Sequence, residues 1–339
     1  MKSSLKRTSV ISTFACCASV MGLFCANPFA AANTPKWDVV WSDQFDGTSL
    51  DRTKWSPEES CWGGGNNERQ CYTDRPENIQ VKDGVLRLIA RPERFTGPLY
   101  PEERNTKGER KFQWYTSGKI RTQGIADWTY GRVSARMKLP AGQGTWPAFW
   151  MMPSTSVYGR WPLSGEIDIM EAVNLETPCE ECEGEIETRT SGALHFGDVP
   201  PNNTYLFSKA DEKVQTPPSQ EWNTYSIEWA EGVIQWFVND DLFMRLESDD
   251  WHTAAAEAEG RPYAPFDQPF YVMLNLAVGG NLPEKSNGAG FDKKSFPAEL
   301  LVDWVQVEQC AGDLETGRAC LTQQEWNGTP QGPWETMAR

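Results

Sequence analysis

Apolar and polar residues alternate along several short segments of this chain, which is the pattern of strands that bury one face. These segments are rich in β-branched and aromatic residues and are separated by turn-forming residues. The clearest are residues 84–90, 131–138, 224–229, 233–238 and 300–307. Helical periodicity is scarce and predicts one short helix, at 249–260. The pattern therefore predicts an all-β protein built as a two-sheet sandwich.

No linker, repeat or low-complexity block divides the 339 residues, which predicts one large domain. Residues 1–32 combine basic residues, an apolar stretch and a run of alanines, as in a secretory signal. The apolar stretch is too short and too interrupted for a membrane span. We predict a signal at 1–32, one domain at 33–310 and a C-terminal tail at 311–339. We expect a secreted or periplasmic protein without membrane association after signal cleavage.

Six of the nine cysteines follow the predicted signal. An even set in an oxidising compartment favours disulfides, although sequence alone does not fix their connectivity. The local spacing favours three neighbouring pairs, which are Cys61–Cys71, Cys179–Cys182 and Cys310–Cys320. The Cys179–Cys182 spacing also matches half of a zinc site, but there is no second such pair and the chain has two histidines.

Acidic residues outnumber basic ones, with 47 Asp and Glu against 32 Lys and Arg and a formal charge of −15. This excess argues against nucleic acid as a partner. It also disfavours sulfated or uronic-acid polymers, which need a concentrated basic groove. Negative charge is equally consistent with the solubility of an exported protein.

Three carboxylates lie on one short β-forming segment at 165–171. In a regular strand Glu166 and Asp168 share a face, whereas Glu171 points to the other. A β-bulge near residues 169–170 would return Glu171 to the first face, and bulges are frequent beside active sites. The alternative is a solvated acidic strand edge, which the flanking glycine and apolar residues disfavour.

Two carboxyl groups on one face suit cleavage of a glycosidic bond, with one group attacking and one donating a proton. Four strand steps separate the backbones of the two glutamates by roughly 13 Å after the bulge. Long side chains that lean inward would bring the carboxyls to about 5 Å, the separation found in retaining glycosidases. The segment therefore predicts a retaining glycosidase.

Further motifs accompany this segment, at 37–46, 66–68, 130–136, 144–153, 192–197, 271–280, 296–297 and 302–305. Together they resemble glycoside hydrolase family 16 over nearly the whole chain after the predicted signal. The resemblance implies a β-jelly roll of two curved antiparallel sheets, whose concave sheet forms the substrate cleft. The bulged Glu-x-Asp-x-x-Glu form is similar to the laminarinase branch, endo-acting β-1,3-glucanases, although agarases and carrageenases share the bulge.

The resemblance implies roles for the three carboxylates. Glu166 would be the nucleophile, Glu171 the acid/base, and Asp168 the residue that orients and tunes Glu166. Like charges raise the pKa of at least one neighbour, which would keep Glu171 protonated while Glu166 stays ionised. Glu171 would then activate water, giving net retention without a cofactor.

Sixteen tryptophans offer faces that stack on sugar rings. Trp146, Trp150 and Trp161 flank the acidic segment and are predicted subsite platforms, with core packing as the alternative. Asn67 and His195 match family motifs and are predicted substrate contacts, with Arg132 and Gln143 as weaker candidates.

Many members of the resembled family bind structural calcium through backbone oxygens and an aspartate of the last strand. Gly84 and Asp303 match that pattern here. Gln44 replaces the usual acidic residue near the start, which removes a charged ligand. We predict a structural calcium site without a role in catalysis.

The leading hypothesis is a monomeric, exported endo-1,3-β-glucanase that acts on laminarin-like β-glucan. Alternatives within the family are a mixed-linkage glucanase and an agarase-like galactanase. A noncatalytic glucan-binding protein is disfavoured because all three carboxylates are present, and a serine hydrolase because no Gly-x-Ser-x-Gly turn exists. Residues 95–113, 177–189 and those after 310 lack clear family counterparts and are predicted as loops at the cleft rim or on the surface.

Overall fold

A computed structural model of the protein describes residues 36–211 and 216–332. The predicted signal at 1–32 lies outside the described residues, as do the three cysteines within it. In the described part of the chain no helix is long and apolar enough to cross a membrane.

The described residues form seventeen strands. In chain order they are β1 (Lys36–Asp43), β2 (Ser56–Pro57), β3 (Gln70–Tyr72), β4 (Ile79–Lys82), β5 (Val85–Pro98), β6 (Arg110–Ser117), β7 (Lys119–Arg121), β8 (Gly131–Lys138), β9 (Thr145–Pro153), β10 (Glu166–Glu171), β11 (Thr190–Gly197), β12 (Asn203–Ala210), β13 (Asn223–Ala230), β14 (Val233–Val238), β15 (Asp241–Glu247), β16 (Phe270–Val278) and β17 (Ala298–Ala311). The helical elements are α1 (Asn281–Ser286) and 3-10 turns at Glu183–Glu185, Ala256–Ala258, Lys293–Ser295 and Arg318–Cys320.

Two sheets carry these strands. The ten-stranded sheet has the order β15-β14-β13-β8-β17-β5-β6-β3, with β1 beside β17 and β4 beside β5. The seven-stranded sheet has the order β12-β11-β10-β9-β16-β7-β2. Pairing is antiparallel except between β3 and β6. The architecture is the predicted β-jelly-roll sandwich.

The core lies between the two sheets. In β8, Val133, Ala135 and Met137 are buried, whereas Arg132 and Arg136 alternate with them and are only partly covered. This is the period of two that the sequence predicted. β16 is buried along its whole length, because one face meets the core and the other is overlaid by side chains and loops. Each large apolar side chain removed from water contributes about 1.5–3 kcal/mol.

The predicted helix at 249–260 is wrong. Only Ala256–Ala258 turns there, as a 3-10 turn with no buried residue. Trp251 is buried in the core, but the alanines after it offer no apolar stripe for packing, so no α-helix is stabilised. The α-helix of the described chain is instead the short α1.

The loop predicted at 95–113 is only partly correct. β5 continues to Pro98 and β6 begins at Arg110, so the two strands form a long hairpin. Its tip, residues 99–109, is the irregular part, and Leu99 N donates to Glu109 O (2.7 Å) at its base. Alternating exposed and half-buried residues, including three aromatic ones in β6, favour the extended strand over a loop.

The three predicted disulfides are confirmed at Cys61–Cys71, Cys179–Cys182 and Cys310–Cys320. The segment after the last pair returns over the ten-stranded sheet. Thr322 donates its amide and its hydroxyl to Glu228, at 2.6 and 2.7 Å. Farther on, Gln331 pairs with Phe207 of β12 in the other sheet.

Candidate active site

The three carboxylates of the acidic segment lie on β10, and the strand is bulged as predicted. Its register against β9 shifts between Asp168 and Met170, and against β11 between Asp168 and Glu171. One extra residue on β10 accounts for both shifts. The bulge reverses the alternation, so that Glu171 can share the face of Glu166 and Asp168.

The bulge is held from the core by Trp236 of β14. Its indole Nε1 donates to the carbonyl of Asp168 (2.8 Å), and the bond is buried. Gly192 of β11 permits the approach, because a Cβ there would lie 2.4 Å from Trp236 Cδ1. The buried carbonyl at the bulge therefore has a hydrogen-bond donor within the protein.

Tryptophan indoles identify the common face of the glutamates. Trp146 Nε1 donates to Glu171 Oε1 (2.8 Å), and Trp161 Nε1 donates to Glu166 Oε2 (2.9 Å). Trp150, four residues after Trp146 on β9, lies directly opposite Asp168 in the ladder. The three carboxylates therefore open on one face of the seven-stranded sheet.

The predicted tryptophans are brought together at the site, but in different environments. Trp161 has 37% of its surface exposed and can offer a ring face to a ligand. Trp146 is buried beside Glu171, and Trp150 Nε1 donates to Asn275 Oδ1 (2.7 Å). The sequence predicted ring stacking and missed that these indoles also act as hydrogen-bond donors.

His195 lies where the sequence predicted it, opposite Glu166 on β11. Its Nε2 is 3.3 Å from Asp168 Oδ2 and 3.7 Å from Glu166 Oε1. The imidazole packs on Tyr205 of β12, with ring centroids 5.3 Å apart. Tyr205 was missed by sequence reasoning, because its position beside His195 follows only from the register of β11 and β12.

Asn67 lies on an exposed loop at the edge of the site. Its backbone is left-handed (φ 58°), and Nδ2 donates to Asn281 Oδ1 (3.0 Å) of α1. The next residue, Glu68, is buried, accepts from Gln70 Nε2 (2.6 Å), and its charge acts on Glu171. The loop therefore reaches the Glu171 end of the site.

Burial raises the pKa of all three carboxyls, to about 8 for Glu166, about 8 for Asp168 and about 7 for Glu171. The charge of Asp168 raises the pKa of both glutamates further. His195 and the Trp161 N–H oppose this at Glu166, and the Trp146 N–H opposes it at Glu171. Burial therefore favours the protonated form of Glu166 as well as that of Glu171 in the free protein.

The prediction that Arg132 contacts the substrate is wrong. It lies on β8 in the ten-stranded sheet, whereas the carboxylates lie on the seven-stranded one. Its guanidinium is paired with Asp240. Gln143 is buried and donates to Gly290 O (2.6 Å), so it braces a loop.

The residues predicted for calcium fit that ion poorly. Gly84 lies in the turn between β4 and β5, but the carboxylate of Asp303 is already paired with Arg136. A guanidinium beside the one acidic ligand opposes a cation there. Calcium binding stays a prediction. Zinc at Cys179 and Cys182 is disfavoured because the disulfide consumes both thiolates.

Comparison with known proteins finds named relatives of this chain. A family model described as "Beta-porphyranase A-D, GH16 domain" matches residues 37–307. The glucan endo-1,3-beta-glucosidase A1 of Niallia circulans is 37% identical over 80% of this chain, which spans 37% of that relative. The beta-glucanase of Rhodothermus marinus is 35% identical over 91% of this chain and 96% of its own.

A solved structure with the same architecture is the laminarinase from Rhodothermus marinus. It superimposes with a TM-score of 0.63 at 35% identity and covers 82% of this chain and 99% of its own. The two-sheet fold of this chain is therefore shared with a solved laminarinase structure.

Trp236→Phe tests the support of the bulge. The substitution removes the donor of the Asp168 carbonyl, which should destabilise the fold by about 1–3 kcal/mol and lower catalytic activity. Trp229→Phe is the matched control, because Trp229 Nε1 also donates to a buried carbonyl, that of Phe266 (3.1 Å), away from the carboxylates. Thermal unfolding and activity are measured on both variants. Equal losses of activity would contradict a specific role for Trp236.

Glu166→Gln tests the burial of this carboxyl. The folded state raises its pKa from 4.5 to about 8. The stability this proton provides is therefore complete below about pH 4 and is lost as the pH rises through about 8. Glu166→Gln should match the wild-type melting temperature near pH 4 and exceed it at about pH 8. Exposed Glu257→Gln should show no such dependence; a Glu166→Gln melting temperature below wild type at the higher pH would contradict the burial argument.

Proposed function

Because the chain belongs to glycoside hydrolase family 16, we propose that it is a retaining endo-glycosidase that hydrolyses β-1,3-glucan of the laminarin type. The observation that carries the proposal is the bulge in β10, which sets Glu166 and Glu171 on one face beside the exposed ring of Trp161. Family membership supports glycoside hydrolysis, and the β-1,3 linkage is what we propose beyond it.

In the proposed first step, Glu166 attacks the anomeric carbon and forms a glycosyl-enzyme ester as the glycosidic bond breaks. Glu171 gives its proton to the leaving oxygen. Glu166 must be ionised for this, and the N–H of Trp161 together with His195 favours its charged form. The raised pKa of Glu171, about 7, favours the proton that it must donate.

In the second step Glu171, now a carboxylate, takes a proton from water, and the oxygen of that water displaces Glu166 from the sugar. Two displacements on opposite faces return the β configuration. Asp168 keeps its place between the glutamates, with His195 3.3 Å from its carboxylate. It acts as a positioning residue for Glu166.

Support for β-1,3-glucan comes from two relatives named for that linkage, the glucan endo-1,3-beta-glucosidases of Niallia circulans and Cryptopygus antarcticus, which are 37% and 34% identical to this chain. The first of them is much longer than this chain, so its whole activity does not transfer. The complete set of carboxylates argues against a noncatalytic glucan-binding protein. Three disulfides suit the oxidising compartment that the predicted signal implies.

A second candidate is a galactanase of the same family. The matching family model carries the name of a beta-porphyranase, which is the observation that favours it. It would use the same carboxylates, so the polymer tested decides between the two candidates.

Digestion of polymers tests the proposed reaction. Laminarin, mixed-linkage glucan, agarose and carrageenan are incubated with the mature chain, with Glu166→Ala and with the exposed control Glu257→Ala. We expect oligosaccharides from laminarin with the β configuration at first release, full activity in the control and none in Glu166→Ala. Release chiefly from agarose would overturn the substrate, inversion would overturn the mechanism, and an active Glu166→Ala would remove the nucleophile.

Asp168→Asn tests the coupling among the carboxyls. Activity requires Glu166 ionised and Glu171 protonated, so the profile of kcat/KM against pH is bell-shaped. The charge of Asp168 raises the pKa of both glutamates, so its removal should shift both limbs to lower pH and reduce kcat. An unshifted profile would show that Asp168 acts through geometry alone.

A further inference from the structure

Two rows of paired residues cross the seven-stranded sheet on the face of the carboxylates. The first row is Glu171, Ala148, Asn275 and Lys119. The second row is Asp168, Trp150, Met273 and Arg121. The side chains of both cations of β7 therefore share the catalytic face, three strand spacings, or about 14 Å, from β10.

At β7 this face is covered. The side chains of Lys119 and Arg121 are only 10% and 12% exposed, although both are charged. Glu58 lies between them, with Oε2 3.0 Å from Lys119 Nζ and 3.4 Å from Arg121 Nη1. At the other end of the rows the face is open, with 23% of the His195 side chain exposed.

The hairpin tip, residues 99–109, covers Arg121 together with Glu58. Glu103 binds Arg121 through both oxygens, at 2.7 and 3.2 Å from Nη1 and Nη2. Bidentate carboxylate binding occupies the outer edge of the guanidinium. Arg121 is thereby held between Glu58 and Glu103, and with its side chain 12% exposed little of the guanidinium is open to a sugar hydroxyl.

The hairpin tip is itself fixed to the rim of the site. Cys61 N donates to Pro98 O (2.8 Å) at its base. Arg104 stacks on Trp62, 4.6 Å from the ring centroid, and on Tyr100 at 5.2 Å. Trp62 begins the loop that carries Asn67, so the hairpin tip and this loop support each other.

We propose that the hairpin tip closes the β7 end of the cleft through the ion pair of Glu103 with Arg121. About two or three sugar subsites then lie between the carboxylates and that end. The polymer leaves the sheet before it crosses β7. The inference rests on the proposed glycan hydrolysis and adds to it a limit on the number of sugar subsites on the β7 side of the cleaved bond. On the other side of the carboxylates the face is open at His195 of β11.

The experiment removes or weakens the contact between the hairpin tip and Arg121 and measures whether the cleft then binds more sugars toward β7. Because Leu99 already pairs with Glu109, residues 100–108 can be replaced by Asn-Gly, a two-residue hairpin turn. Glu103→Gln keeps the hairpin tip and weakens its hold on Arg121. Glu102→Gln is the matched control, an exposed neighbouring acid outside the ion pair.

The measurement is kcat/KM and the position of the cleaved bond for end-labelled laminari-oligosaccharides of increasing length. In the wild type and Glu102→Gln, kcat/KM should stop rising once about three sugars extend toward β7. The shortened variant should gain about threefold or more from the next sugar, and Glu103→Gln should gain less. A poorly folded variant would not gain in kcat/KM with substrate length. If the shortened variant does not fold, the length dependence of Glu103→Gln alone tests the proposal.

Identical length dependence in wild type, shortened variant and Glu103→Gln would overturn the proposal. If the wild type cleaves no laminari-oligosaccharide, the proposed glucan specificity fails instead. The same length series built from agaro-oligosaccharides then decides the role of the hairpin tip. The two failures are thus separated by the behaviour of the wild type.

Discussion

The hydrogen bond from Trp236 to the Asp168 carbonyl connects the core of the sandwich to the chemistry on its surface. A strand with strict alternation cannot turn Glu166 and Glu171 to the same side, so one residue must leave the ladder. That displacement turns a carbonyl into the space between the sheets, where it needs a donor. Trp236 supplies the donor, and the small Gly192 leaves room for its ring. The geometry of the reacting face is thus set by packing on the opposite face.

Burial has a second effect at the same place. Three carboxyls in one poorly hydrated site hold their protons more strongly than they would in water, which is unfavourable for a nucleophile and useful for an acid. Tryptophan N–H donors partly offset this rise in pKa, because each glutamate accepts from an indole, and His195 acts in the same direction. The tryptophans therefore contribute to proton distribution as well as to surface shape.

Much of this arrangement could be predicted from local pattern. Alternation gave the strands, and the parity conflict between Asp168 and Glu171 required the bulge. Short spacing favoured the disulfide pairs. What failed depended on contacts between distant segments: Arg132 matched a motif, yet its strand belongs to the other sheet and Asp240 occupies it. The contact between Glu103 and Arg121 has no signal in the sequence, because it depends on how far a hairpin bends around the edge of the sandwich.

Glu228 joins both ends of the described domain on the outside of the ten-stranded sheet. It accepts from Trp37 Nε1 (3.2 Å) of the first strand and from Thr322 of the returning terminal segment. That segment then pairs at Gln331 with Phe207, at the rim of the other sheet. The terminal segment thus works as a belt across the sandwich that resists sliding of one layer over the other. The edge strand of the seven-stranded sheet is thereby tied to the outer face of the opposite sheet by residues remote in sequence from the acidic strand.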